Sequence, residues 1–302
     1  MKDKIRSAVP YIFLFIGLFI ISTVGTYMFL YLRDSNKSVE EFKDLKDLVV
    51  EVPVDPTDTP KDKTDFSSGN NGHELGVRVK PDFSALIAEN DDFVGWLTVE
   101  GTNIDYPVMQ TPGDEEYYLH RNFYKKYDYS GVPFCNSAAD VERPSDNIVI
   151  YGHHMRAGTM FNHLTLFQKE DFYKEHKTFT FDTIYRTGTY EIVAVCLTHV
   201  NEGAFKYWEV VDCSEEEFNE YVTWMVSKSL YKTDGIDDVE YGDKLVTLST
   251  CAYHVTNGRL IVIGKLIDTD DTDLINNKTA YVKDNENVEE TIYNNNWACY
   301  NI

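Results

Sequence analysis

Apolar positions follow three different rhythms along this chain. From Ala8 to Leu32 no charged residue interrupts the run. As a helix, a stretch of about 25 residues reaches roughly 37 Å, enough to cross the ~30 Å hydrocarbon core of a bilayer with some tilt. Lys2, Lys4 and Arg6 precede it. That basic flank belongs in the cytoplasm, which puts the remainder of the chain outside. The run is long for the apolar region of a cleaved signal peptide, and no small-x-small site follows it cleanly. It therefore predicts an uncleaved transmembrane signal-anchor over residues 1–32. It carries no polar stripe, which argues against a buried core helix.

The rhythm breaks at Arg33. Val39, Phe42, Leu45 and Leu48 are spaced at three in a charged stretch, a pattern that allows a short helix. Pro53, Pro56 and Pro60 then sit among Asp, Thr and Lys, and Ser67-Ser-Gly-Asn-Asn-Gly72 follows. Residues 33–80 are expected to be a flexible extracellular stalk.

Short β-prone runs take over from Pro81. Trp96 to Val99, Ile104 to Val108, Gly131 to Asn136, Asn147 to Tyr151, Thr178 to Asp182, Thr189 to Val200, Lys244 to Cys251 and Arg259 to Lys265 all read as strands. Helices are expected near Asp82 to Asn90, after His154, and over Ser214 to Leu230. The last has a capping-box pair, Ser214 and Glu217, and an apolar stripe of Phe218, Tyr221, Val222 and Met225. One domain over 81–268 is the reading, followed by an Asp- and Asn-rich tail over 269–302. Asp234 to Asp243 reads as a solvated acidic loop, since it lacks EF-hand spacing.

The formal net charge of -22 argues against nucleic acid as a partner, because phosphate binding needs a basic surface. Five cysteines are an odd number, so one thiol is expected to be unpaired even if the others bridge.

Two strand ends carry candidate chemistry. One β-run ends at Cys251, a short connection holds Asn257-Gly258, and the next run opens on Arg259. Asn-Gly between β-prone runs is a hairpin signal. Side chains alternate along a strand, so Thr247, Ser249 and Cys251 share one face, and Arg259, Ile261 and Ile263 share another. If those faces coincide, a guanidinium is held near a thiol. The run Asn147 to Tyr151 ends at Gly152-His153-His154. Gly152 suits a backbone position where a side chain would be crowded. If the two runs lie side by side and parallel, His153 and Cys251 meet. An imidazolium there would stabilise the thiolate and later protonate a leaving amine. Arg259 would stay charged and could hold an oxyanion. A zinc site built from Cys251, His153, His154 and His254 is disfavoured by spacing.

Thr247-Leu248-Ser249-Thr250-Cys251 followed by Arg259 resembles the TLxTC…R motif of sortases. Tyr151-Gly152-His153-His154-Met155 with Gly158-Thr159-Met160-Phe161 resembles the histidine segment of class B sortases. Asp92 to Gln110 and Tyr117 to Phe123 are similar to further segments of that class, and a helix before the cysteine strand agrees with it. The resemblance runs from about Phe83 to Ile267. It implies a mainly β fold with peripheral helices: a closed β-barrel of about eight strands. It also implies a cysteine transpeptidase with Cys251 as nucleophile, His153 in preference to His154 or His254 as acid and base, and Arg259 as oxyanion partner. Thr250, Ser249 and Tyr151 are the candidate substrate-binding residues. Sorting-signal peptides of secreted proteins and a peptidoglycan amine are the implied partners. Neither a metal nor an organic cofactor is required. The implied place is the cell membrane, single-pass, with the catalytic domain outside.

Overall fold

The computed structural model describes residues 2–53 and 79–271. The outer stretch of the expected stalk, 54–78, and the tail from 272, with Cys299, lie outside the described residues. Helix α1 (Lys2–Lys46) leads into β1 (Val50–Pro53), which pairs antiparallel with β2 (Val79–Asp82). After α2 (Ser84–Glu89) come β3 (Phe93–Thr98), β4 (Asp105–Met109), β5 (Phe134–Cys135) and β6 (Asn147–Tyr151). Then α3 (Glu170–Glu175), β7 (Thr178–Thr183), β8 (Gly188–His199), α4 (Glu215–Lys228), β9 (Leu245–Cys251) and β10 (Gly258–Thr269) complete the set. Strands β3 to β10 close into an eight-stranded barrel in the order β10-β8-β7-β3-β4-β5-β6-β9.

Burial follows the sequence rhythm. β7 alternates, with Phe179 and Phe181 inward, as a strand with one covered face should. β6 and β9 are buried along nearly their whole length, because the barrel interior takes one face and loops and α4 cover the other. They pair in parallel, Asn147 with Leu245 through Tyr151 with Ser249. A polar ladder fixes that register. Lys244 Nζ lies 2.8 Å from Asp146 Oδ1, both side chains buried. Thr247 Oγ1 donates to Asn147 Oδ1 at 2.8 Å, and Thr250 Oγ1 to the Gly152 carbonyl at 2.8 Å. A one-residue slip would strand a buried charge, so the pairing has one low-energy alignment.

The helix predicted over Ser214 to Leu230 forms as α4. Ser214 caps it, with Glu217 returning the bond in a capping box. Its buried face, Phe218, Tyr221 and Met225, packs on β8 and β9, and Tyr221 OH shares a 2.8 Å hydrogen bond with Thr247 Oγ1.

The N-terminal helix differs from the sequence reading. It runs unbroken through Arg33 to Lys46, where a flexible stalk is expected. Phe42 and Leu45 are buried against the barrel, the Phe42 ring lying tilted against Tyr106 with centroids 5.1 Å apart. Ser38 donates to Asp128 at 2.8 Å, and Glu41 accepts from Asn122 Nδ2 at 2.8 Å. The charges that read as solvated linker occupy the outer face of an amphipathic helix whose inner face is only two or three side chains wide.

Candidate active site

Two adjoining strand pairs converge on one cleft. In the antiparallel β9–β10 pair, Arg259 lies directly across from Cys251, Ile261 from Ser249 and Ile263 from Thr247. The two faces expected to coincide therefore do. Asn257, at a left-handed φ of 55°, turns the chain into β10, and the Ala252 N–H bonds back to the Gly258 carbonyl at 2.9 Å. On the other side of β9, the parallel ladder continues past β6: the Gly152 N–H donates to the Ser249 carbonyl at 3.1 Å. Beyond the Tyr151–Ser249 pair, His153 and Cys251 both line the cleft at the ends of these strands. A Cβ on Gly152 would sit 2.6 Å from the Phe161 ring, so only glycine lets the strand end pass beneath it.

The residues predicted from the sequence line a single cleft of about 680 Å³: Cys251, His153, Arg259, Thr250, Ser249 and Tyr151. Cys251 is half-buried, and none of the four described cysteines forms a disulfide. Arg259 is 3% exposed, and its Nη1 donates to the Gly258 carbonyl at 3.1 Å. Thr250, Ser249 and Tyr151 are buried in the cleft floor. The Ser249 hydroxyl shares a 2.7 Å hydrogen bond with Tyr207 OH, and Thr250 is tied to Gly152 as described.

The two adjacent histidines face different duties. A carbonyl oxygen only accepts, so His153 Nε2, 3.0 Å from the Leu119 carbonyl, carries the ring proton. Its Nδ1 is left with the lone pair. His154 Nδ1 donates to the carbonyl of Cys251 itself at 3.0 Å, which clamps the backbone of the thiol residue. His120, which sequence reasoning left unassigned in an aromatic segment, stacks on His153 at 5.2 Å and on Tyr129 at 5.8 Å. The family-like run Tyr117 to Phe123 held the only signal for it. His163 lies away from the cleft, bonded to the Asn103 N–H at 3.2 Å.

Burial pushes the pKa of His153 down to about 4, helped by the neighbouring His120 and the charge of Arg259 and opposed by the Leu119 carbonyl. Burial lowers His154 as well, against its bond to Cys251. At His153, burial and these positive neighbours favour the neutral imidazole over the imidazolium. Burial raises Tyr151 well above the ordinary phenol range, so it stays protonated. Among the described residues, no group of three or more His, Cys, Asp or Glu side chains is placed to hold a metal ion.

Comparison with known proteins agrees with this geometry. The sortase domain family matches residues 97–267. Sortase B of Listeria monocytogenes is 33% identical over 191 residues, covering 63% of this chain and 75% of that protein. Sortase B of Staphylococcus aureus is 29% identical over 191 residues, covering 63% and 76%. Among solved structures, Clostridium perfringens sortase B superposes with a TM-score of 0.55 at 35% identity, over 62% of this chain and 100% of that one. The Staphylococcus aureus sortase B–substrate complex gives 0.56 at 28% identity, over 62% and 84%. A domain match across more than half the chain, and a barrel shared with sortase B structures, make this protein a member of the sortase family, class B: cysteine transpeptidases that anchor surface proteins.

Proposed function

We propose that this chain cleaves the C-terminal sorting motif of secreted proteins after a threonine, within a motif of the NPxTG or NPxTN type, and transfers the protein to an amine of peptidoglycan. The observation that carries the reading is the convergence: Arg259 lies opposite Cys251 across β9 and β10, and His153, just past the end of β6, lines the same cleft. A related Staphylococcus aureus sortase B has been solved with its substrate, which supports a peptide ligand for this cleft.

In the first step His153 Nδ1 takes the Cys251 proton and the sulfur attacks the threonine carbonyl carbon. The new thiolate charge raises the basicity of the adjacent imidazole, so the pair forms as the reaction needs it. Arg259 and backbone N–H groups face the oxyanion. Collapse breaks the C–N bond, and His153 gives its proton to the departing amine, leaving a thioester on Cys251. The acceptor amine attacks the thioester carbon, His153 takes one of its protons, and the thiolate leaves and is reprotonated. Thr250, Ser249 and Tyr151 form the floor on which the peptide lies. His154 holds the Cys251 backbone in place.

Helix α1 contains one stretch long and apolar enough to cross a membrane. With Lys2, Lys4 and Arg6 ahead of it, the reading is a single-pass anchor with the barrel outside the cell. The test uses the full chain in nanodiscs with quenched NPxTG, NPxTN and LPxTG peptides and mass spectrometry of the products. Cleavage at the threonine bond, diverted to an amide by added amine, is the expected result. Hydrolysis that no amine diverts would mean a peptidase instead.

A further inference from the structure

The cleft that holds Cys251 is not closed by the barrel alone. Tyr27, Met28, Tyr31 and Leu32 of α1 line it as well. They occupy the last two turns of the uncharged run, just before Arg33. Their spacing continues into Ser38, Phe42 and Leu45, so one face of α1 follows the cleft and then the barrel wall. The buried contacts at Ser38, Glu41 and Phe42 fix the rotation of that face. Tyr31 is the half-buried member of the group. Its ring meets Tyr129 edge-on at 6.4 Å, Tyr129 stacks on His120, and His120 stacks on His153. An unbroken row of rings thus connects the anchor helix with the imidazole.

We propose that the exoplasmic end of the anchor helix is a wall of the substrate site, and that Tyr31, with Met28 beside it, is a specificity-determining contact for the sorting peptide. The inference rests on the peptide-transferase reading given above. An apolar and aromatic wall recognises a peptide that offers an apolar side chain facing away from the cleft floor. Because α1 leaves the apolar run at this height, it also holds the cleft mouth at the level of the membrane surface, where tyrosine is favoured.

The test compares full-length protein in nanodiscs with Tyr31→Ala, Met28→Ala, Tyr31→Phe and Phe19→Ala. Phe19 is 70% exposed on the same helix and does not line the cleft. Expected is a KM for the cleaved peptide raised about fivefold to tenfold in Tyr31→Ala and Met28→Ala, with kcat within about twofold. Tyr31→Phe should return KM to near the parent value, and Phe19→Ala should leave it unchanged. A second reading needs no peptide. Alkylation of Cys251, followed at its own tryptic peptide, should accelerate severalfold in Tyr31→Ala with a bulky maleimide but not with iodoacetamide. If the alkylation pattern holds while no peptide is cut, the wall stands and the peptide reading falls. Unchanged KM and unchanged alkylation would overturn the wall. A KM that drops in Tyr31→Ala would overturn it too, since the helix would then be an obstruction.

Discussion

On one side of the cleft, Cys251, Thr250 and Arg259 project from strand ends held by continuous backbone ladders on both flanks. On the other, Tyr27, Met28, Tyr31 and Leu32 project from a helix that is fully buried against the barrel only further on, at Ser38, Phe42 and Leu45. The strand side is over-determined: moving one of its residues means breaking a register. The helix side is set by a few side chains. Chemistry that needs sub-ångström placement belongs on the first wall, and recognition that tolerates adjustment belongs on the second.

The contrast can be broken hardest at the thiol. Cys251→Ala should abolish peptide turnover and leave the thermal melt unchanged; residual turnover at a measurable fraction would move the nucleophile elsewhere. Next comes the register itself, at the far end of the same strands. Lys244→Met should lower stability by about 3–5 kcal/mol in urea unfolding, because it strands the Asp146 carboxylate in a buried site. The pair Lys244→Met with Asp146→Leu should recover most of that loss, and a double variant as weak as the single one would show that the ion pair does not set the register. Arg259→Lys keeps a charge but loses the planar fork, and kcat/KM should drop by about a hundredfold to a thousandfold. Near-parent kinetics would take Arg259 out of the reaction.

A smaller effect is expected from pH. His153 has a folded pKa near 4, below the ordinary 6.5 of the unfolded chain. Between those values the unfolded state binds more protons. Its contribution to stability is therefore fully present above about pH 6.5 and is lost as pH falls towards 4, by about 3 kcal/mol at most. Urea midpoints at pH 4.5 and 7.5 should differ less in His153→Gln than in the parent; equal differences would mean that the ring is not buried neutral. Smallest is the helix wall, where Tyr31→Ala is expected to cost only the severalfold rise in KM described above.

Much of the strand side was legible in the sequence because its signals are local. Asn257-Gly258 between two β-runs announced the β9–β10 hairpin, and alternation then put Arg259 and Cys251 on one face. The unbroken apolar run Ile148 to Ile150 suited a strand covered on both faces, and the parallel partnership with β9 followed from asking what would bring His153 to Cys251. The Ser214–Glu217 box located α4 within a residue or two. The helix side was not legible. Nothing near Tyr31 in sequence points to Tyr129, and the buried face of α1 beyond Arg33 amounts to Ser38, Phe42 and Leu45 among charges. His120 stacks on His153 across 33 positions of sequence, and no local pattern encodes the burial that lowers the His153 pKa.

The parallel pairing of β6 with β9 has a consequence in time. Its polar ladder joins residues 98 positions apart, and such contacts form late because a long loop must be closed before they contribute. β10 comes later still, and it must find both β8 and β9 before the barrel has no open edge. A chain emerging from its N-terminus thus presents α1 and the segment that carries His153 well before the thiol and guanidinium arrive. Cys251, Arg259 and His153 come together only at the last closure, so a half-folded molecule lacks the assembled cleft until its barrel is complete.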